Sequence, residues 1–111
     1  MTRPDAEQIR EMSQALLAAR RDHTPIAALT ERFPDMTIGD AYAVQQGLVA
    51  GLLAEGDSII GYKLGLTSQP MQEMLGVDQP DYAPVLGSTV YPDGGEVPCD
   101  DYISPRMEAE I

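Results

Sequence analysis

The chain has few residues equipped for chemistry, and their spacing sorts them. In Pro-Arg-Met-Glu-Ala-Glu-Ile, residues 105–111, Glu108 and Glu110 stand two apart and alternate with Met107, Ala109 and Ile111. Period two is the strand period, which sends both carboxylates to one face with Cα atoms roughly 6–7 Å apart. Carboxylates so placed can converge on one hard divalent cation such as Mg2+, Mn2+ or Ca2+. An amphipathic edge strand with a solvated acidic face has the same pattern, and spacing leaves both readings open. Lys63 lies among apolar residues and glycines in Gly-Tyr-Lys-Leu-Gly-Leu-Thr-Ser, residues 61–68. An ammonium there can stabilise or protonate an enol, a keto oxygen or a carboxylate. A lysine on the exposed face of a half-buried strand looks identical. Asp78 and Asp81 flank Pro80 in Val-Asp-Gln-Pro-Asp-Tyr, which turn chemistry explains as well as proton transfer does. Neither glycine-rich nucleotide motif is present. His23 and Cys99, the single histidine and the single cysteine, are far apart in sequence. His23 reads as a helix-end residue and Cys99 as a small half-buried one, rather than as a nucleophile pair.

The elements that must hold these residues follow from periodicity and caps. The spacing predicts a first helix capped by Asp5 and ending near His23, before Pro25. Ile9, Met12, Leu16 and Ala19 form its apolar stripe, with Ala15 beside them. Arg20 and Arg21 suit its C-terminal dipole. Pro25 and Pro34 restrict the next stretch to a connector with a short turn within residues 26–31. A second helix starts at about Thr37, where Thr-Ile-Gly-Asp forms a capping-box variant, and stops at Gly56. Ile38, Ala41, Tyr42, Val49, Leu52 and Leu53 are expected on one face. Residues 58–67 read as a strand, and residues 68–76 as a short helix between Ser68 and Gly76. Residues 77–87 read as a loop, residues 88–98 as a hairpin, and the end of the chain as a strand. Helices followed by strands give an α+β chain, with a helical segment over 1–56 and the start of a β-rich domain over 57–111.

Bulk properties narrow the function. The 111 residues carry a net charge of −11 and a pI of about 4.1, which disfavours binding to nucleic-acid phosphate or to an anionic membrane. No apolar run is long enough to span a bilayer, and the N-terminus lacks a signal-peptide core, so a cytoplasmic protein is expected. A lone cysteine forms no intramolecular disulfide, which agrees.

Three motifs in order, Gly-x-Lys-x-Gly-Leu-Thr-Ser, Gly-Val-Asp-Gln-Pro-Asp-Tyr and Pro-Arg-x-Glu-x-Glu-Ile, resemble the 2-keto-4-pentenoate hydratase family. Its relatives include the 4-oxalocrotonate decarboxylases, within the fumarylacetoacetate hydrolase-like superfamily. The resemblance implies the first strands of that mixed β fold, incomplete in this chain. It implies Mg2+ or Mn2+ held by Glu108 and Glu110 plus a third acidic residue further on. Lys63 would be the family lysine and Asp81 a water- or proton-positioning group. The implied reaction adds water to 2-hydroxypenta-2,4-dienoate, giving 4-hydroxy-2-oxopentanoate in aromatic meta-cleavage catabolism. The implied partners are a small 2-oxo or 2-hydroxy acid, further copies of the full-length chain, and a pathway enzyme. Decarboxylation of 2-oxo-3-hexenedioate is the alternative. Family members are more than twice this length, so the chain is expected to be the N-terminal part of such an enzyme and inactive alone; an inactive piece or association module lacking the catalytic half is a further alternative.

Overall fold

A computed structural model describes residues 2–110, and its architecture is α+β. Helix α1 spans Ala6–Asp22, α2 Leu29–Arg32 and α3 Ile38–Ala54; strand β1 spans Ile59–Gly65, helix α4 Gln69–Leu75 and strand β2 Asp81–Leu86. Each long helix starts at a reciprocal cap. The Asp5 carboxylate accepts from the Gln8 N–H at 2.8 Å, and the Gln8 amide oxygen accepts from the Asp5 N–H at 2.9 Å. Thr37 and Asp40 repeat the arrangement at 3.1 and 3.0 Å, so the expected capping box closes with Asp in the place of Glu. Asp40 does more than cap. Its carboxylate is buried and also accepts from Arg3 Nε at 2.9 Å and Nη2 at 3.2 Å, which ties the N-terminal residues to the start of α3. The Arg3 hydrogen bond, followed by the Thr37 N–H, holds Asp40 well below the usual carboxylate range. His23 ends α1 in the left-handed conformation (φ 52°), with its N–H donating to the Ala19 carbonyl. It is therefore a capping residue, as its position implied.

The helices α1 and α3 pack over a small core of Met12, Phe33 and Val44, with Ile9, Leu16, Leu29 and Met36 against it. The stripe on α1 differs from expectation at one point: Ala15 is exposed and Ser13 is buried. Ser13 Oγ lies 2.9 Å from the Val44 carbonyl and 3.1 Å from the Ile9 carbonyl, so its hydroxyl crosses the helix interface. The face expected on α3 is also corrected. Asp40, Val44 and Leu52 are buried, whereas Ile38 and Leu53 are exposed. The helix is apolar on most of its circumference, so periodicity did not single out the side that meets α1. That side is chosen by Gly47 and Gly51, which let the helices approach: a Cβ on Gly47 would stand 2.2 Å from Ser13 Oγ.

β1 and β2 form an antiparallel pair. The register sets Lys63 opposite Ala83, Leu64 opposite Tyr82 and Gly65 opposite Asp81, with an irregularity between Ile59 and Gly61. Asp57 fastens the far end of the pair: its carboxylate accepts from the N–H groups of Ser58 and Ser88 and from the Ser88 hydroxyl. Ser88 is the principal cause of the lowered Asp57 pKa. The short helix α4 starts at Ser68 and ends at Gly76 (φ 72°), as its caps indicated.

Four further expectations are overturned. Residues 81–86, expected as a loop because of Pro80 and Pro84, form β2. Pro84 is tolerated because Tyr82, two residues away and on the same side of the ladder, turns its N–H and carbonyl away from β1. Pro84 therefore surrenders no ladder bond. Residues 88–98 form no hairpin; a 3-10 turn over Gly87–Thr89 and a turn through Gly94 (φ 78°) take its place. Residues 104–110 adopt no strand and pair with neither β1 nor β2; Ile111 lies outside the described residues. Cys99 is exposed in a 3-10 turn over Cys99–Asp101 rather than half-buried. Among the described residues no helix is long and apolar enough to cross a membrane.

Candidate lysine and carboxylate site

Antiparallel pairing puts directly opposed residues on the same face of a sheet. Lys63, Ala83, Gly65 and Asp81 therefore share a face, with Lys63 and Asp81 in the diagonal relation, roughly 7–8 Å apart at the backbone. Gly65 makes room for the acid: a Cβ at that position would lie 2.2 Å from Asp81 Oδ1. Lys63 Nζ donates to Glu110 Oε1 at 2.9 Å, and this contact brings the end of the chain to the sheet. Glu110, and more weakly Glu108, raise the Lys63 pKa and keep the amine charged. Both partners are about 60% exposed (62% for Lys63 and 60% for Glu110), so the pair contributes little to stability. It instead gathers an ammonium and a carboxylate at one place.

Of the residues the sequence singled out, the fold joins Lys63 with Glu110 and puts Asp81 on the same face. Glu108 follows on the irregular segment and is close enough to act on Lys63 electrostatically. Asp78 lies in the loop before β2, His23 caps α1, and Cys99 is elsewhere on the surface. The hard oxygen donors of Glu108 and Glu110 suit a divalent cation by chemistry. Among the described residues, however, no three of His, Cys, Asp or Glu come together as a metal cluster.

Along the edge of β2, a cavity of about 400 Å³ opens between α3, the loop before β2 and β2 itself. Its walls include Tyr42, Leu66, Val77, Tyr82 and Ala83, with Asp81 also in the lining. The Tyr42 and Tyr82 rings stack at 4.7 Å between centroids and 18° between planes. Tyr42 Oη accepts from the Tyr82 N–H at 3.2 Å, and Gln45 Nε2 donates to the Tyr82 carbonyl at 3.4 Å. Side chains of α3 thus satisfy the outer edge of β2, a task usually left to another strand or to water. Leu66, just after β1, is held at φ 54°, and its carbonyl accepts from Gln72 Nε2 at 2.7 Å. Tyr42 and Gln45 lie in Asp-Ala-Tyr-Ala-Val-Gln-Gln, residues 40–46, which shares the family resemblance less specifically than the three motifs and by itself marks no site role for them or for Leu66.

Helices α1 to α3 followed by the small open sheet of β1 and β2 are consistent with part of a fumarylacetoacetate hydrolase-like α+β fold. The chain matches the 2-keto-4-pentenoate hydratase and 4-oxalocrotonate decarboxylase family of that superfamily, as a segment the size of the N-terminal part of the full domain. It is 39% identical to the 2-oxo-hept-4-ene-1,7-dioate hydratase of Escherichia coli, over 90% of this chain and 38% of that protein. It is 37% identical to the 2-keto-4-pentenoate hydratase of Paraburkholderia xenovorans (strain LB400), over 95% of this chain and 39% of the relative. The solved 4-oxalocrotonate decarboxylase from Pseudomonas putida G7, complexed with calcium and acetate, superposes with a TM-score of 0.83 and 34% identity. That match covers 88% of this chain and 38% of the decarboxylase. The chain therefore spans about two-fifths of the length of the curated relatives it matches. No protein-family model matches it.

Proposed function

We propose that this chain supplies part of the active site of a divalent-metal-dependent lyase acting on a small 2-oxo or 2-hydroxy unsaturated acid. The observation that carries the proposal is Lys63 on β1, 2.9 Å from Glu110 and on the same sheet face as Asp81. Glu108 and Glu110 would hold Mg2+ or Mn2+, which when bound supplies Lewis-acid polarisation of the substrate's carboxylate and 2-oxygen. Lys63, kept charged by Glu110, stabilises negative charge on the 2-oxygen and holds the proton exchanged there. Asp81 presents a carboxylate to the same face and positions a proton or a water. In hydration, the 2-hydroxyl proton leaves and carbon gains one, turning the dienol into an enone. Carbon 4 of that enone then takes the hydroxyl of water and carbon 3 its remaining proton, as the double bond between them is consumed. The hydratase names of the curated relatives support this reaction.

Decarboxylation is the second reading, and the structural likeness favours it: the solved relative with the 0.83 TM-score is a decarboxylase. There the bond to the leaving carboxylate breaks, CO2 departs, and the electron pair enters the same conjugated enolate, which is then protonated. The role of Lys63 is common to both. A third reading makes the chain an association module whose two glutamates need donors from elsewhere to complete a metal site.

Manganese binding, followed by paramagnetic resonance on the 111-residue chain, tests the shared claim. Glu108→Ala and Glu110→Ala are each expected to weaken it at least about tenfold. Unchanged binding with both glutamates replaced sinks the proposal. Dienoate consumption without CO2 release selects hydration, stoichiometric CO2 selects decarboxylation, and metal binding without turnover of either substrate selects the association module.

A further inference from the structure

Asp81 brings a carboxylate to the lysine face, yet among the described residues no ion pair and no side-chain hydrogen bond holds that carboxylate. Its direction is therefore set by the backbone beneath it. That backbone lies at an exposed place. Asp81 is the first residue of β2 and faces Gly65, the last of β1, so their pair ends the ladder. A two-stranded pair is marginal alone, and its ends open most easily.

What steadies this end is the next residue. The Tyr82 N–H donates to Tyr42 Oη at 3.2 Å, and the Tyr82 carbonyl accepts from Gln45 Nε2 at 3.4 Å. Tyr42 and Gln45 lie about one turn apart on α3, so one helix holds both backbone polar groups of a single residue. The Tyr42 and Tyr82 rings also stack, 4.7 Å apart. Tyr82 is registered opposite Leu64, so its ring lies on the sheet face away from Lys63 and Asp81. The helix thus grips β2 at its outer edge and from behind, and leaves the lysine face open.

We infer that Tyr42 and Gln45 are positioning residues: through the backbone of Tyr82 they set where the Asp81 carboxylate stands relative to Lys63. Gly65 admits the carboxylate on one side, and α3 fixes the strand on the other. A group that handles a proton or a water has little positional tolerance, since a displacement of about 1 Å can cost about a hundredfold in rate. The inference rests on the proposed function only for what Asp81 does once placed.

The test uses the 111-residue chain, held well below its melting temperature. Tyr42→Phe keeps the stacked ring and removes the acceptor of the Tyr82 N–H. Gln45→Met removes the donor to the Tyr82 carbonyl at similar side-chain length. Gln46→Met, at the exposed neighbouring position, is the control. Hydrogen exchange of the Tyr82 amide and the carboxyl carbon resonance of Asp81 are followed by NMR. Exchange at Tyr82 is expected to quicken at least about threefold in Tyr42→Phe. The Asp81 resonance is expected to move in both variants beyond its change in Gln46→Met, and furthest in the double variant. The Asp57 carboxyl resonance, at the other end of the strand pair, should stay in place. A role confined to stability would lower the melting temperature and leave Asp81 where it is. An unmoved Asp81 resonance in both single variants therefore overturns the inference, as does an equal movement in Gln46→Met or at Asp57. Mn2+ binding is measured on the same samples. A parent chain that binds no Mn2+ counts against the proposed function, while the Asp81 resonance still decides the positioning role.

Discussion

Gly47→Ala tests the helix interface that holds the site wall in place. In most helices this change is favourable, because alanine exceeds glycine in helix propensity by about 1 kcal/mol. Here the new Cβ would lie 2.2 Å from Ser13 Oγ and 2.7 Å from Ser13 Cβ. Ser13 cannot simply turn away. It is 5% exposed, and its hydroxyl is held by the Val44 carbonyl at 2.9 Å and the Ile9 carbonyl at 3.1 Å. Overpacking costs about 1–3 kcal/mol, and displacing a buried hydroxyl from its partner costs about 1–3 kcal/mol more. Partial relaxation of the helices lowers this sum, and the propensity gain offsets part of the rest. A net loss of about 2 kcal/mol is expected, which lowers the melting temperature of a domain this size by about 8 °C. Thermal and urea unfolding followed by far-UV circular dichroism measure it. Gly39→Ala is the control on the same helix: its Cβ would meet only Thr37 Oγ1, at 3.7 Å, and it should be neutral to about 1 kcal/mol stabilising. Combining Gly47→Ala with Ser13→Gly removes both offending atoms, so the double-mutant cycle should show a coupling of at least about 1 kcal/mol. A stabilised Gly47→Ala, or a cycle with no coupling, would refute the close approach. The consequence reaches the site, because α3 also carries Tyr42 and Gln45 to the edge of β2.

Three further outcomes are expected. The stability that Asp40 contributes is fully present above the ordinary carboxylate pKa of about 4 and is lost as pH falls through its lowered folded value. Asp40→Asn should therefore be less stable than the parent at neutral pH and converge on it in acid, as acid titration by circular dichroism would show; a constant gap at all pH values would contradict the Arg3 pairing. Gly65→Ala forces the Asp81 carboxylate out of its position, since the added methyl would lie 2.2 Å from Oδ1, and should move the Asp81 carboxyl carbon resonance while changing stability by less than about 1 kcal/mol. An unmoved resonance would remove Asp81 from the Gly65 side of the sheet. Cys99, exposed in its 3-10 turn, should react with an aromatic disulfide reagent in the folded chain within about threefold of a free thiol's rate, and protection would contradict its placement.

Much of this molecule is dictated by neighbours in sequence. Asp5 with Gln8, Thr37 with Asp40, Ser68 with the N–H of Met71, and glycine at 56 and 76 set the ends of α1, α3 and α4 through contacts within a turn of the chain. Such contacts are legible because every participant lies within a few residues of the others. The motif order Lys63, Asp81, Glu108 and Glu110 was equally plain, and its family resemblance agrees with the relatives found. Other features required partners far along the chain. The segment 81–86 is a strand only because β1 lies beside it and because Pro84 falls where no donor is needed. The segment from 104 is not a strand because, among the described residues, nothing pairs with it; its alternation of apolar and acidic residues supplies a face but no ladder. The seam between α1 and α3 was fixed by Gly47 and Ser13, which periodicity ranks below the larger apolar residues around them. Local hydrogen bonds wrote the helices into the sequence. The meeting of Lys63 with Glu110, and that of Tyr42 with Tyr82 at the edge of β2, came from contacts across about 40 or more residues, which no short window of sequence contains.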